Sequence, residues 1–208
     1  MTPVLLCLHG WGGSKESFTE LRAALATADV EILAPDLPGF GAQAEPPEPW
    51  GVADYADWVE RWLHAHHSQV ELLGRGLMVL GHSHGGRISI HLAVRKKLPI
   101  THLFLCASAG IKRPRHIKRI FGLMLAKTGK FFLSIPGLNL LQPLGKKILY
   151  TLVRVHDYEK ASPLMQQTLI KVTAEDLRPL LSKITVPTFL FWGEDDTMTP
   201  VRDGFLMQ

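Results

Sequence analysis

Short apolar runs alternate along the chain with longer segments whose apolar residues recur at helical spacing. The apolar runs span residues 3–9, 30–35, 77–82, 101–108 and 186–192. Runs of this length and composition are typical of strands that are buried on both faces of a parallel sheet. The helical patterns span residues 16–28, 52–67 and 84–97. This alternation predicts an α/β fold in which helices flank a mostly parallel sheet and the crossovers are right-handed.

The pattern changes after residue 110. Residues 111–181 read as several helices that are separated by glycine and proline, with no further strand among them. A block of this length between two strands of one sheet is an insertion. We therefore predict a core formed by residues 1–110 and 182–208, and a helical insertion formed by residues 111–181.

The composition fits one soluble domain, since 46% of the residues are hydrophobic and 20% are charged. The first residues lack the basic start of a signal peptide, and no stretch approaches the roughly 18 apolar residues of a membrane span. We therefore expect a cytoplasmic protein. Cys7 and Cys106 lie within apolar runs, and we expect buried thiols rather than a disulfide or a metal site.

The net charge of +4 is distributed unevenly. Fifteen of the 23 lysines and arginines lie between Leu72 and His156, and all 19 acidic residues lie outside that stretch. A basic segment of this kind forms either solvated helix faces or a surface for anionic partners. We expect solvated faces, and the alternative is that the basic start of the insertion contacts a membrane or an acyl carrier. The sequence shows no nucleic-acid, nucleotide or metal signature, so no cofactor is predicted.

The stretch Gly81-His82-Ser83-His84-Gly85 fits the pattern G-x-S-x-G, with an apolar run before it and an amphipathic helix after it. A tight strand-to-helix turn lifts a serine Oγ clear of the backbone, at a helix N-terminus that favours negative charge. We therefore predict Ser83 as a nucleophile, and the alternative is an incidental serine in a glycine-rich turn. His82 and His84 splay to either side of a sharp turn, so neither is predicted as the base that activates Ser83.

The segment "LHGWGG" at residues 8–13 follows the first predicted strand. Its glycines let the backbone bend toward Ser83, so the amides of Trp11 and His84 would together form an oxyanion hole. The alternative for Trp11 is an aromatic core residue. We expect His9 to hold this loop by hydrogen bonds rather than to transfer protons.

Four stretches together resemble the α/β-hydrolase superfamily. They are "LHGWGG", "APDLPGFG" at 34–41, "GHSHGG" and "VPTFLFWGEDDTMTP" at 186–200. Their order and spacing fit over nearly the whole chain, and "SAGIKRP" resembles a bacterial, esterase-like subgroup. The resemblance implies the fold of that superfamily, a lid or cap at residues 111–181, a structural turn at Asp36, and hydrolysis of a small acyl ester or thioester through an acyl-enzyme.

The resemblance also implies an acid after the strand at 186–192, in the pattern G-x-x-D. That pattern assigns the acid to Asp196, and Asp195 is the runner-up. An acid of this kind orients the imidazole of the base and stabilises its charged form. The family's histidine follows one more strand, but no histidine occurs in this chain after His156. The last strand of the family, its helix and the base therefore have no counterpart.

Three explanations of the missing histidine stay open. The chain is a fragment of a longer product, as we expect; or the base comes from His116 or His156 in the cap, or from a partner chain; or the chain is a non-catalytic binding domain on a degenerate hydrolase fold. The leading prediction is a serine hydrolase whose catalytic histidine is absent from this chain. An exposed edge strand at 186–192 would also make the chain poorly soluble or oligomeric.

Overall fold

A computed structural model of the protein describes residues 2–112 and 161–208. One compact unit comprises Met1–Ile111 and Pro163–Gln208. Much of the predicted insertion, with His116 and His156, lies outside the described residues. Its role as a lid stays a prediction, and its final residues, from Pro163 onward, belong to the same unit as the sheet.

Five parallel strands form a single sheet in the order β2-β1-β3-β4-β5. They are β1 (Val4–Leu8), β2 (Glu31–Leu33), β3 (Leu77–His82), β4 (Ile100–Cys106) and β5 (Thr188–Phe191). Each strand coincides with one of the five apolar runs, and helices flank the sheet. The predicted α/β fold is therefore confirmed.

Seven α-helices lie in the described residues. They are α1 (Thr19–Ala24), α2 (Val52–His66), α3 (Gln69–Arg75), α4 (His84–Arg95), α5 (Pro163–Ala174), α6 (Arg178–Leu181) and α7 (Val201–Met207). The prediction of one helix over 16–28 is wrong at both ends. A 3-10 turn at Lys15–Phe18 precedes α1, and α1 already ends at Ala24. Helices α3 and α7 were not predicted.

The interior of the sheet is apolar on both faces. In β1, the alternate residues Val4, Leu6 and Leu8 are fully buried, and α4 contacts β1, β3 and β4. Leu5 and Cys7 join a separate cluster with neighbouring apolar side chains. Cys7 is buried, as predicted, whereas Cys106 is only partly buried. Burial raises the pKa of the Cys7 thiol to about 12.

The strand order reverses beside β1. The chain passes from β1 to β2 on one side and then returns to β3 on the other side. The loops that follow β1 and β3 therefore diverge from the carboxyl ends of two adjacent strands. In open parallel sheets, the crevice at such a reversal is where ligands bind. Trp11 and Ser83 lie in the two segments that border it.

Candidate active site

Ser83 occupies the turn between β3 and α4 in a conformation that non-glycine residues seldom adopt, with φ 51° and ψ −108°. Backbone hydrogen bonds hold the turn on both sides. The Ser83 N–H donates to the Cys106 carbonyl at 3.1 Å, and the Ser83 carbonyl accepts from the amides of Gly86 and Ala109, each at 3.1 Å. The side chain makes no capping bond to α4. The hydroxyl is therefore not used to hold the helix.

Glycines allow α4 to begin directly against the end of β1. A Cβ on Gly85 would overlap the carbonyl oxygen of Leu8 and lie 2.8 Å from that of His9. A Cβ on Gly86 would overlap the side chain of Ser108. The glycines that follow Ser83 are therefore required by close backbone approach, which explains their place in the motif.

The loop after β1 lies against the Ser83 turn. A Cβ on Gly10 would lie 3.4 Å from the Cβ of Ser83 and 2.9 Å from Nδ1 of His82. Within the described residues, neither the Trp11 N–H nor the His84 N–H donates a hydrogen bond. Two unbonded amides thus belong to the two segments that meet beside the Ser83 side chain.

His9 connects this loop to the segment after β2. Its Nδ1 lies 2.8 Å from the Gly10 carbonyl, and its Nε2 accepts the Leu37 N–H at 3.0 Å. Since Nε2 is an acceptor, the proton of the neutral ring is on Nδ1. Burial lowers the pKa of His9, which favours that neutral form. Both nitrogens are occupied, so the prediction that His9 holds the loop is confirmed.

Asp36 organises the next loop. Its carboxylate accepts the Lys15 N–H at 2.7 Å and the Ala42 N–H at 3.0 Å. Burial alone would raise the pKa of Asp36, but the hydrogen bonds from Ala42 and Lys15 outweigh it and the pKa is lowered. Gly41 has φ 57°, and a Cβ there would overlap the Asp36 carboxylate. These contacts confirm the structural interpretation of Asp36.

The imidazole of His84 is buried, and neither ring nitrogen has a hydrogen-bond partner within the described residues. It meets the rings of Trp11 and Tyr55 edge to face, with centroids 5.5 Å and 4.8 Å away. Burial, reinforced by the charges of Arg87 and His9, lowers the pKa of His84 to about 3. The ring is therefore neutral at neutral pH. It makes no contact with Ser83 that a base would need.

The ring and the backbone amide of Trp11 have different surroundings. Its ring packs edge to face against Phe40, with centroids 4.9 Å apart, and against His84. Its backbone amide remains unbonded within the described residues. Trp11 therefore has a packed aromatic ring and, within the described residues, a backbone N–H without a hydrogen bond.

Asp196 lies in a turn after β5, and its carboxylate is well hydrogen-bonded. It accepts the backbone N–H of Met198 at 2.8 Å, the N–H of Thr199 at 2.9 Å and the Thr199 hydroxyl at 2.8 Å. Burial would raise the pKa of Asp196, but these bonds outweigh it and the pKa is lowered. The charges of Asp196 and His82 also act on each other, whereas Asp195 is exposed. Asp196 thus interacts electrostatically with His82, the residue that precedes Ser83.

No histidine ring in residues 2–112 and 161–208 is hydrogen-bonded to Ser83 or Asp196. His82 is exposed, with its ring against Gly10; partial burial of the ring lowers its pKa, and the charge of Asp196 opposes that shift. The described part of the chain therefore supplies a serine, two amides and a carboxylate, but no positioned base.

Helix α5 contacts the same group of loops, which the sequence did not indicate. The Thr168 hydroxyl accepts the Trp50 N–H at 3.2 Å, and a Cβ on Gly39 would overlap the Met165 side chain. Both α5 residues are buried. The sequence places them in the predicted cap, and helical periodicity alone cannot show which surface a helix packs against.

A second set of contacts joins α4 to the segment after α5. Arg87, which is buried, donates to the Glu175 carbonyl at 3.1 Å, and the His91 ring is 2.7 Å from the Glu175 carboxylate. Burial lowers the pKa of Arg87 to about 10 despite nearby carboxylates. The Leu177 N–H donates to the Gly110 carbonyl at 2.9 Å. The returning chain is therefore fixed to the sheet unit.

A cavity of about 560 Å³ lies between β5 and α7 and is lined by Phe189, Trp192 and Phe205, among others. It shares no residue with the Ser83 turn. Among the residues that the structure describes, no three His, Cys, Asp or Glu side chains are grouped to hold a metal ion. None of the described helices is long and apolar enough to cross a membrane.

Comparison with known proteins gives concordant matches. The sequence model of the alpha/beta hydrolase family matches residues 5–208. Lipase 1 of Psychrobacter immobilis is 27% identical over 202 residues, which cover 92% of this chain and 62% of the lipase. The pimeloyl-[acyl-carrier protein] methyl ester esterase of Shewanella sp. (strain MR-7) is 30% identical over 221 residues, which cover 96% of this chain and 76% of the esterase.

A solved structure of a hydrolase from Pseudomonas aeruginosa PA01 superposes with a TM-score of 0.70 at 23% identity, covering 99% of this chain and 77% of that one. This likeness shows the fold. The chain thus spans less than two thirds of the lipase and about three quarters of the esterase and of the solved hydrolase.

Proposed function

The chain belongs to the alpha/beta hydrolase family, and on that premise we propose that it hydrolyses a small acyl ester or thioester through an acyl-enzyme on Ser83. One observation carries the proposal. Ser83 is held in a strained turn, and the unbonded amides of Trp11 and His84 belong to the segments that meet beside it. The names of the two relatives, a lipase and a methyl ester esterase, support an ester as the substrate class.

In the proposed first half-reaction, the Ser83 Oγ bonds to the acyl carbon as the base takes the hydroxyl proton. The carbonyl oxygen gains the negative charge and accepts hydrogen bonds from the Trp11 and His84 amides, each worth on the order of 3 kcal/mol of barrier. Collapse of this intermediate breaks the carbon–oxygen or carbon–sulfur bond, and the leaving group takes the proton back from the base. Water then attacks the acyl-enzyme by the same steps and releases the acid.

Asp196 is the proposed acid that orients the base. Its lowered pKa supports an ionised carboxylate at neutral pH, as that role requires. The base itself is a histidine that no described residue supplies. In the proposal it lies beyond Gln208 in the reading frame, which makes the DNA downstream of codon 208 the first place to look.

Labelling with a fluorophosphonate probe tests the nucleophile in the full product of the reading frame. We expect the wild type to be labelled and Ser83→Ala to be unlabelled. Ser182→Ala is the matched control, because Ser182 is exposed at the end of α6 and should keep the wild-type labelling rate. Equal labelling of wild type and Ser83→Ala, or none in a folded wild type, would contradict the proposal.

A non-catalytic binding domain is the second candidate, because no described histidine contacts Ser83. The two functions predict different DNA sequences downstream of codon 208. A further strand and a histidine beside a glycine, read in frame, support the enzyme. A stop codon there, with no neighbouring gene that supplies the histidine, supports the binding domain.

The substrate's leaving group needs a separate test. The Shewanella relative is named for a methyl ester on an acyl carrier protein. We propose a small-molecule ester or thioester for this chain, and contact with an acyl carrier or a membrane through its basic segment is the less favoured alternative. Rates on p-nitrophenyl esters of short and long acyl chains, compared with rates on a carrier-bound methyl ester, separate these cases.

A further inference from the structure

The imidazole of His84 is the one buried side chain among the described residues whose nitrogens both lack a hydrogen-bond partner. The residue is 3% exposed. A polar ring without partners is costly to bury, and native proteins keep such groups where they have a task. The chemistry proposed above uses only the backbone amide of His84, so the ring itself is unexplained. The inference that the ring serves this chemistry rests on the proposed function.

The ring lies between two aromatic side chains from different elements. Trp11 comes from the loop after β1, and Tyr55 comes from α2. Both meet the imidazole edge to face, at interplanar angles of 71° and 86°. This arrangement places a positive ring edge against a negative ring face, which is the favoured geometry for neutral aromatic pairs. The imidazole is thus packed as an uncharged aromatic ring.

The same two residues carry the amides of the proposed oxyanion hole. The rings of Trp11 and His84 pack against each other, while their backbone N–H groups are unbonded within the described residues. The His84 ring is therefore a direct contact through which a change of side chain can act on the Trp11 loop. Trp11 also packs against Phe40, so its ring has two aromatic contacts, of which His84 is the one that belongs to the Ser83 turn.

We propose that His84 is a positioning residue for the acyl chemistry, whose neutral ring, wedged between Trp11 and Tyr55, fixes the spacing of the two oxyanion-binding amides. The chemical step then requires this ring to be uncharged. The substrate does not touch the ring, so His84 acts on the rate of reaction and not on substrate affinity.

The described groups that face the ring do not stabilise a positive charge on it. Arg87 on α4 and His9 in the loop after β1 both oppose protonation. The Tyr55 hydroxyl on α2 donates its proton to the Pro38 carbonyl at 3.1 Å and is turned to that partner. A protonated His84 would therefore leave its position, and the Trp11 loop would shift with it.

Two substitutions separate ring shape from ring chemistry. His84→Leu removes the aromatic wedge, so we expect kcat and the fluorophosphonate labelling rate to fall about tenfold or more, because small displacements of catalytic groups have large effects on rate. KM should stay near the wild-type value. His84→Phe keeps the wedge and removes the nitrogens, so it should restore most of kcat and remove the contribution of His84 to the loss of activity in acid.

An NMR measurement gives a readout that does not need activity. In ¹⁵N-histidine-labelled protein, the His84 signals, identified by their loss in His84→Phe, should report a neutral ring down to pH 5. The Trp11 amide resonance should move in His84→Leu and stay near its wild-type position in His84→Phe.

The outcomes are distinguishable from failure of the proposed function. Ser83-dependent labelling that is equal in wild type and His84→Leu overturns the positioning role and leaves the function intact. An absence of Ser83-dependent labelling overturns the function, and with it the catalytic part of the inference. An unmoved Trp11 amide in His84→Leu, or a His84 ring that is charged at pH 6, overturns the inference in either case.

Discussion

The crevice between β1 and β3 and the outer edge of the sheet at β5 differ in how closely their atoms approach. At the crevice, Gly85 lies so near the end of β1 that a single added methyl group would overlap backbone. After β5, a Cβ on Gly193 would meet nothing within 4 Å. The difference indicates that the backbone is packed more closely beside Ser83 than after β5.

The aromatic side chains at the β5 edge stack on one another and stay half exposed. Phe189 and Phe191 are 47% and 53% exposed. Phe104 stacks on Phe189 with centroids 5.2 Å apart, and His102 stacks on Phe189 at 6.3 Å. Stacked rings of this kind leave a large apolar area in contact with solvent. The edge therefore resembles a surface that associates with another apolar surface, whereas the crevice resembles a core.

The largest expected effect concerns the one residue near β5 that the proposed chemistry uses. Asp196→Asn should lower the rate of ester hydrolysis by the full reading-frame product about 10⁴-fold, because an amide favours the wrong imidazole tautomer. Asp195→Asn, at the exposed neighbouring position, is the control and should keep activity within about twofold of wild type. A steady-state rate assay measures both. The reverse ranking would transfer the acid role to Asp195.

Paired glycine substitutions test the contrast in packing directly. Gly85→Ala should lower the free energy of unfolding by about 3 kcal/mol or more, because the rigid carbonyl of Leu8 cannot move away without displacing β1. Gly193→Ala should change it by less than about 0.5 kcal/mol. Urea unfolding followed by circular dichroism measures both values. Similar losses in the two variants would remove the basis of the comparison.

Acid should weaken the crevice through His84. The pKa of this residue is about 3 in the folded state, against 6.5 for the free side chain. Below pH 6.5 the unfolded state therefore binds a proton that the folded state does not, and the free energy of unfolding falls as the pH falls. By pH 5 the loss is about 2 kcal/mol. Unfolding of wild type and His84→Phe at pH 7.5 and 5 should show the larger loss in the wild type, because the lowered pKa values of His9 and His82 act in both proteins; an equal loss in both would refute it.

The smallest expected effect on stability is at the edge. Phe191→Thr should change the free energy of unfolding by less than about 1 kcal/mol, because the ring is half exposed, but it should reduce self-association of the chain. Leu73→Thr is the control, since Leu73 is 64% exposed on α3 and not on β5. Sedimentation velocity measures association. A wild-type chain that is monodisperse and monomeric would contradict this prediction.

The strands could be predicted because each lies in a nearly continuous apolar run. The Ser83 turn could be predicted because close backbone approach requires the glycines that follow Ser83. Helix α3 was missed although it has a local signal, the Ser68 hydroxyl that accepts the Glu71 N–H at 3.2 Å. Helix α1 ends early because the chain tightens into turns before Val30, whose N–H donates to the Ala28 carbonyl. Apolar spacing alone reveals neither the presence of α3 nor the early end of α1.

The setting of the His84 ring could not be predicted from sequence. Its isolation depends on Trp11 and Tyr55, which are distant in the chain and converge only in the folded structure. The packing of Thr168 against Trp50 has the same cause, because an apolar helix face does not identify its partner. The serine and the loop amides are encoded locally, whereas the supporting contacts are encoded by tertiary structure.

The hydrogen bond between the Leu177 N–H and the Gly110 carbonyl joins the end of the first segment of the sheet unit to the second segment, which begins at Pro163. Because Gly110 and Leu177 are held together, the entropic cost of closing the loop between them grows only with the logarithm of the loop's length. We therefore expect that the stretch from Lys112 to Ser162 can be exchanged for a shorter or longer one at a small entropic cost. The Ser83 turn and the loop after β1 belong to the sheet unit and would keep their places in such an exchange.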